Sequence, residues 1–433
     1  MTQQKQAQSY LVPFIIMVVL MSLVGLITNL NGQFQAPMKA AFLLMAGAQT
    51  NTLTTLLTFA FFFGYLAMGV PSAKYIERKG YKQTLILGLF GLIVAFGLYE
   101  LSAYVFETMD LANFQPTIDA ARAAGEGYKY EGAVVIPTAY YIFLVAAFVA
   151  GSALTFLQAV LNPYIVACSV KGTTGVTRQS IAGTGNSSMA TIAPLLVAHV
   201  IFAGKTGLDI QISSLYIPFL VLIVLVGGLI VALTQIHLPT IASAEKKEGE
   251  VLEKSVWSFS HLALGVVAIF MYVGVEVCVG NNINLYAENK GLSNPALLAT
   301  LYWGLMLVGR LCGSFLSSIS ASKQLAFTSA VAGILVLVAM VMDNPYFLIG
   351  AGLFHSIMWG AIFALAIDKL GKYTAAGSGA LMMGIVGGAI LPLLQGFLAD
   401  SFHGWQWTWA IVVIGEAYLL YYALIGHKVK QLP

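Results

Sequence analysis

Twelve apolar stretches, each long enough to cross a bilayer, follow one another along the chain. They lie at approximately 9–33, 51–72, 84–105, 138–165, 184–204, 214–236, 260–284, 296–318, 324–342, 345–367, 376–398 and 405–426. A membrane span needs roughly 20 apolar residues in succession. Hydrocarbon offers no water to backbone N–H and C=O groups, so segments of this length are expected as helices. Only 9% of the 433 residues are charged, against about 25% in a soluble domain. The implied class is an all-α polytopic membrane protein, seated in a lipid bilayer and without a nucleic-acid partner. The first run is too long for a signal-peptide core and has no small-residue cleavage site, so it is expected as a span.

Charge orders the loops. With the N-terminus inside, the loops near 73–83, 168–183, 237–259, 319–323 and 368–375 and both termini carry fifteen of the 21 Lys and Arg, and the opposite side carries five. That asymmetry predicts both termini in the cytoplasm. The polar stretch Ala242–Ser258 contains Glu245-Lys-Lys-Glu-Gly-Glu250 and falls after the sixth span. The expected domains are therefore an N-terminal six-helix bundle over 1–236, a cytoplasmic linker over 237–259 and a C-terminal six-helix bundle over 260–433. The linker reads as solvated chain with room for a short interfacial helix. The loop of about 107–134 is too polar to span, and a short helix is expected there.

Glu276 is the residue that a packing account of the spans cannot place. It sits in Tyr272-Val-Gly-Val-Glu-Val-Cys-Val-Gly280 and is followed by Asn281, Asn282 and Asn284. A carboxylate at the centre of a span costs about 2.5–3.5 kcal/mol or more, so an intramembrane acid is expected to face a protein or water-lined interior. Span one ends in Thr28-Asn29-Leu-Asn31-Gly32-Gln33-Phe-Gln35, read either as a solvated helix end or as an amide-lined wall. Amides donate and accept without presenting charge, which suits a neutral polyhydroxylated ligand. In span four Gln158 and Asn162 stand four apart and share a helix face, although Pro163 also fits a simple helix end. Asn186 reads as cavity or cap at the start of span five. In span ten His355 and Trp359 are again four apart, either stacking on a sugar or packing.

Other membrane-depth charges are expected to gate or to anchor. Arg310 is expected to snorkel or to cap a neighbouring helix. Asp368 reads as a gate charge beside Lys369, and Glu416 in span twelve has no evident partner in the sequence. Cys168, Cys278 and Cys312 lack metal spacing and read as packing residues. Tyr302 and Trp303 read as packing or interfacial belt. No Walker loop, nucleophile elbow or HExxH occurs, so enzyme and ATP-driven classes are not supported, and no cofactor is expected.

The turn after span two, Glu77-Arg78-Lys79-Gly80-Tyr81-Lys82, resembles the major facilitator superfamily signature, with Glu where Asp is usual. Its charges suit a latch that pairs in one transport state and parts in the other. Gly64-Tyr-Leu-Ala-Met-Gly-Val precedes this basic turn and Gly309-Arg310-Leu-Cys-Gly313 precedes Ser320–Lys323, each turn after the second span of its half, as a tandem repeat requires. Together with Asn29-Leu-Asn31, Gly151, Gln158, Asn162-Pro163, Asn186-Ser187, Tyr272-Val-Gly-x-Glu276 and Gly309-Arg310, the chain resembles the fucose:proton symporter family of that superfamily. The resemblance implies the major facilitator fold: 12 transmembrane helices in two six-helix bundles around a central site, worked by alternating access. It also implies two acids, an Asp after Leu-Asn in span one and a Glu four residues before Asn-Pro in span four. Here those positions hold Gly32 and Gln158, and neither titrates.

The expected function is secondary transport of a neutral hexose or deoxyhexose across a bacterial cytoplasmic membrane by a monomer. Asn29, Asn31, Gln158, Asn162, Asn186, Asn281, Asn282, His355 and Trp359 are the candidate sugar ligands. Glu276 is the candidate coupling acid, taking a proton or joining amide oxygens in a sodium site, and Glu77, Arg78, Arg310 and Asp368 are the candidate gating charges. A uniporter of the same sugars, or an exporter of amphipathic drugs or lipids, is the alternative.

Overall fold

The computed structural model describes residues 10–124, 134–168, 170–173, 175–236, 238, 254–313 and 319–429. Fifteen α-helices run through them: α1 Leu11–Gln33, α2 Gln35–Phe42, α3 Thr50–Val105, α4 Leu111–Ala124, α5 Thr138–Ala167, α6 Gly175–Leu195, α7 Tyr216–Gln235, α8 Ser260–Asn289, α9 Pro295–Gly313, α10 Ala321–Val341, α11 Tyr346–His355, α12 Met358–Ala366, α13 Thr374–Met383, α14 Gly387–Ser401 and α15 Ala410–Tyr421. Short 3₁₀ and π turns join several of them. Among the described residues nine helical segments are long and apolar enough to cross a membrane, and ten if α11 and α12 count as one bent span.

The remaining two of the twelve expected spans have plain physical explanations. The segment Gly47–Ala124 covers 78 residues; a straight helix of that length would run roughly 115 Å, far beyond a bilayer of about 30 Å. It holds two passes, because Gly80 inside α3 adopts φ +77° and breaks the helix. That left-handed backbone suits glycine, which has no Cβ to clash. The other span is α6, continued by a π turn over Leu196–Ile201 and more polar than its neighbours.

The described residues form two compact units, Met1–Ala244 and Glu245–Pro433. The division falls inside the expected 237–259 linker, most of which lies outside the described residues, including Glu245–Glu250. In the first unit α1 packs on α6, and α3 packs on α5 and α7. In the second, α8 is the central helix against α9, α12, α14 and α15, while α10 packs on α11 and α15. Side chains such as Ile217, Val221, Val224 and Val231 leave one face of α7 exposed and apolar, as lipid contact requires.

The internal repeat is visible as backbone contact. In the first unit a Cβ on Gly64 would run into Phe148 and Ser152 of α5, and one on Gly151 would collide with the Phe61 carbonyl of α3. In the second unit a Cβ on Gly309 would collide with Ser356 and press on the Leu353 carbonyl, and one on Gly352 would collide with the Tyr302 carbonyl. The second and fourth spans of each half thus approach closely through glycines placed on both partners, the packing that small residues permit in membranes.

Three boundaries differ from the sequence expectation. Span one extends to Phe42 rather than ending near 33. Its amides are interior, since Asn29, Asn31, Gln33 and Gln35 are all buried, which removes the solvated-end reading. Pro163 lies inside α5 and does not end it, because neighbouring helices can satisfy the backbone groups that a membrane proline frees. Span five starts at Gly175, so Asn186 is in mid-helix and caps nothing. The polar loop after span three holds the expected short helix, α4. Asp110 ahead of it accepts the Ala139 N–H at 3.0 Å, which anchors the start of α5.

Candidate functional site

In the first unit the span-one amides are tied to spans two and three, Gln35 donating to the Thr58 hydroxyl at 2.6 Å. Tyr99 of α3 donates to Asn31 Oδ1 at 3.0 Å, and these two line a small apolar void with Phe34, Phe96 and Phe219. Asn29 Nδ2 turns back to the Gly25 carbonyl at 2.9 Å, satisfying its own helix. Gln158 donates to the Tyr65 hydroxyl at 2.8 Å, and Tyr65 also hydrogen-bonds Thr28. Thr28, Tyr65 and Gln158 therefore form a polar chain across spans one, two and four. Asn162 shares the Gln158 face one turn on, in a continuous helix, and is half-buried. Asn186 donates to the Met21 carbonyl at 3.1 Å, holding α6 against α1 where Gly25 lets the two backbones meet.

The second unit gathers two carboxylates, an arginine, a histidine and two tyrosines. Glu276 of α8 stands 3.9 Å from Arg310 Nη2 of α9. Arg310, itself half-exposed, therefore pairs with the half-buried acid, whose charge an opposite charge stabilises away from bulk water. Tyr272, one turn before Glu276, lies against both side chains and donates its one hydroxyl hydrogen to the His355 carbonyl at 3.1 Å. That carbonyl is free of a helical partner because span ten breaks after His355, with a bend of 41° before α12.

The break also revises the reading of His355 and Trp359. They do not lie one above the other on a single helix. The His355 ring is fully buried with both nitrogens engaged, Nδ1 with the Tyr302 hydroxyl at 2.7 Å and Nε2 with Glu416 Oε1 at 2.7 Å. Trp359 packs on Tyr272 with ring centroids 6.2 Å apart and stays half-buried. Glu416, without an evident partner in the sequence, has one in His355. Tyr302 bridges His355 and the Glu276 carbonyl, 3.3 Å away, so its place is in the polar cluster and not in an interfacial belt. Trp303 packs over Gly280.

Asn282 is fully buried and donates to Gln395 Oε1 of α14 at 2.8 Å, and Gln395 passes the chain on to Thr408 at 3.2 Å. It stitches spans seven, eleven and twelve together. Asn281 is buried on the adjacent face of α8. Glu77 and Arg78 are exposed beside the Gly80 break. Asp368 is exposed too, and its carbonyl meets His261 Nε2 at 2.9 Å. Lys82 instead clips the end of α7, donating to the Thr234 and Ile236 carbonyls at 2.9 Å each. Arg178, within the loop expected over 168–183, is buried and caps the end of α5 through the Ile165 carbonyl at 2.9 Å. Cys168 and Cys278 are buried, whereas Cys312 is exposed. Among the described residues no group of three His, Cys, Asp or Glu stands together as a metal site.

Tyr65, Tyr99, Tyr272 and Tyr302 were not singled out as functional. The usable signal was spacing: Tyr272 precedes Glu276 by one helical turn. The others become visible only where separate helices meet.

No family model matches the chain. It is similar to the glucose/galactose transporter of Brucella abortus, 31% identical over 419 residues, covering 93% of this chain and 91% of that protein. The putative glucose/galactose transporter of Helicobacter pylori is 30% identical over 428 residues, covering 94% and 95%. The L-fucose-proton symporter of Escherichia coli is 27% identical over 428 residues, covering 92% and 89%. Among solved structures, the major facilitator superfamily transporter FucP in its outward conformation matches with TM-score 0.63 at 23% identity, covering 96% of this chain and 98% of that one. That likeness is one of fold.

Proposed function

The chain belongs to the fucose:proton symporter family of the major facilitator superfamily, and from that premise we propose that it carries a neutral hexose or deoxyhexose across the bacterial cytoplasmic membrane by alternating access. The relatives named for glucose, galactose and fucose support the substrate class. The amide groups of spans one and four, Asn29, Asn31, Gln158 and Asn162, are the proposed sugar ligands in the first unit, with Trp359 and Asn281 in the second. The positive-inside asymmetry supports two cytoplasmic termini.

Transport is proton-coupled through Glu276. The observation that carries this reading is the Glu276–Arg310 pair at 3.9 Å inside the second unit, in a chain with Gly32 and Gln158 at the two family acid positions. A guanidinium beside the carboxylate already supplies its counter-cation, which disfavours sodium there and leaves a proton as the exchangeable charge. Protonating Glu276 releases Arg310 from the pair, and deprotonating it restores the attraction.

Two measurements in proteoliposomes test the reading. Saturable counterflow of a hexose is expected without any gradient, and its absence for every sugar tried overturns the substrate class. An imposed proton gradient is expected to drive accumulation that Glu276→Gln abolishes while counterflow survives. Accumulation driven by sodium alone, or left intact in the variant, overturns the coupling assignment.

A further inference from the structure

His355 and Glu416 are buried at 0% and 1% side-chain exposure and 2.7 Å apart. Neither role in the transport cycle proposed above uses them. The groups facing them are Tyr302 and Arg310 of α9 and Glu276 and Tyr272 of α8, while α10 presents Gly333, at which an added Cβ would come within 3.2 Å of Glu416 Cβ. Glu416 Oε2 is buried without a hydrogen-bond partner.

We infer that His355 and Glu416 form a second proton-binding site, separate from Glu276, whose proton count sets the direction of the Tyr302 hydroxyl. The argument is hydrogen bookkeeping. Tyr302 owns one hydroxyl hydrogen and lies between two acceptors, His355 Nδ1 at 2.7 Å and the Glu276 carbonyl at 3.3 Å. With two protons on the pair it is neutral overall, as a carboxylic acid donating to Nε2 of a neutral imidazole, the form that leaves no charge in a water-excluded interior. Nδ1 then carries hydrogen and donates to Tyr302, which turns its own hydrogen to the Glu276 carbonyl. With one proton on the pair, Nε2–H donates to the carboxylate and Nδ1 becomes an acceptor. Tyr302 must then turn its hydrogen to Nδ1 and leave the Glu276 carbonyl.

The two-proton form is favoured in a water-excluded interior, where an uncompensated charge is costly. The switch sits at the break in span ten. His355 is the last residue of α11, its carbonyl is held by Tyr272, and its ring is held by spans eight and twelve. The proton count is thus linked to the segment best placed to hinge, and Tyr302 and Tyr272 carry it to Glu276 and Arg310. Tyr302, His355 and Glu416 are positioning residues in this scheme.

Infrared difference spectroscopy on the purified full-length protein, with glucose, galactose and fucose as the added probes, tests the inference. A protonated-carboxyl C=O band that changes on sugar addition is expected in the wild type. It should vanish in Glu416→Gln and persist in Glu276→Gln. Tyr302→Phe, which removes one hydroxyl and little volume, should shift the band's frequency by altering His355, and this variant decides the matter if Glu416→Gln does not fold. A sugar-induced band that depends on Glu276 alone, or that Tyr302→Phe leaves unmoved, overturns the second site while the transport reading stands. Failure of all three sugars in counterflow strikes the transport reading instead.

Discussion

At the scale of single residues, similar side chains separate by what they meet. Asn282 and Asn31 are both buried amides on spans of high hydropathy, yet Asn282 bonds Gln395 in a path between three helices, whereas Asn31 meets Tyr99 beside a void. Asn282→Leu strands the Gln395 carbonyl oxygen, and an unsatisfied buried group costs about 1–3 kcal/mol. The expected result is a lower melting temperature with sugar affinity retained, read by thermal unfolding with and without ligand; an unchanged melting temperature with lost affinity would return Asn282 to the sugar site.

Asp343 sits in the turn between α10 and α11 at φ +49°. It pairs with Lys290 and accepts from Tyr286 at 2.7 Å. Burial alone would raise its carboxyl, but the bonds from Lys290 and Tyr286 outweigh that and hold it below the usual aspartate value. A lowered folded-state value means that the stabilisation is complete above the unfolded aspartate value of about 3.9 and fades as pH falls through the folded one. Asp343→Asn keeps a residue that tolerates left-handed backbone. It should lower stability at pH 7 by no more than about 1 kcal/mol, as half-exposed pairs do. That difference should shrink below the carboxylate range, where the wild-type group is itself protonated.

At the scale of elements, helix approach is controlled by glycine pairs and helix direction by breaks. Gly64 and Gly309 lie in the second span of their halves, each against the backbone of the fourth. Gly64→Val and Gly309→Val should each destabilise by about 1–3 kcal/mol or more through overpacking. Gly97→Ala, in open space on α3, should be neutral or should stabilise by up to about 1 kcal/mol from helix propensity. Thermal unfolding in detergent separates these outcomes. The repeat was only faintly legible as a short match around Gly64 and Gly309, because the neighbours those glycines admit are distant in sequence. The break after His355 had no legible signal: no proline or glycine stands between His355 and Met358.

At the scale of the whole molecule, two compact units meet in sequence near 244. Each has its own polar network, the half-buried Thr28–Tyr65–Gln158 in one and Glu276–Arg310–Tyr302–His355–Glu416 in the other, buried only at its Tyr302–His355–Glu416 end. The 1–244 segment expressed alone is expected to insert and to keep its helical circular dichroism, with Gly64→Val lowering its melting temperature. Asn282→Leu and Asp343→Asn should act only on the 245–433 segment. Loss of helix in both isolated segments would show that neither unit folds independently.

The apolar runs and the scarcity of charge determined a helical membrane protein with twelve spans, since lipid admits few other solutions for the backbone. The division into halves and the role of Glu276 are expectations that rest on the same reason: a charge or a polar linker stands out where the solvent is hydrocarbon. Partnership was not legible. Glu416 and His355 are 61 positions apart and Arg310 is 34 from Glu276, so only helix packing decides that one acid meets a guanidinium and the other an imidazole. The amides likewise carry no mark of their fate, because the same side chain satisfies a helix, staples a bundle or is left for a ligand according to what the neighbouring helix brings within 3 Å.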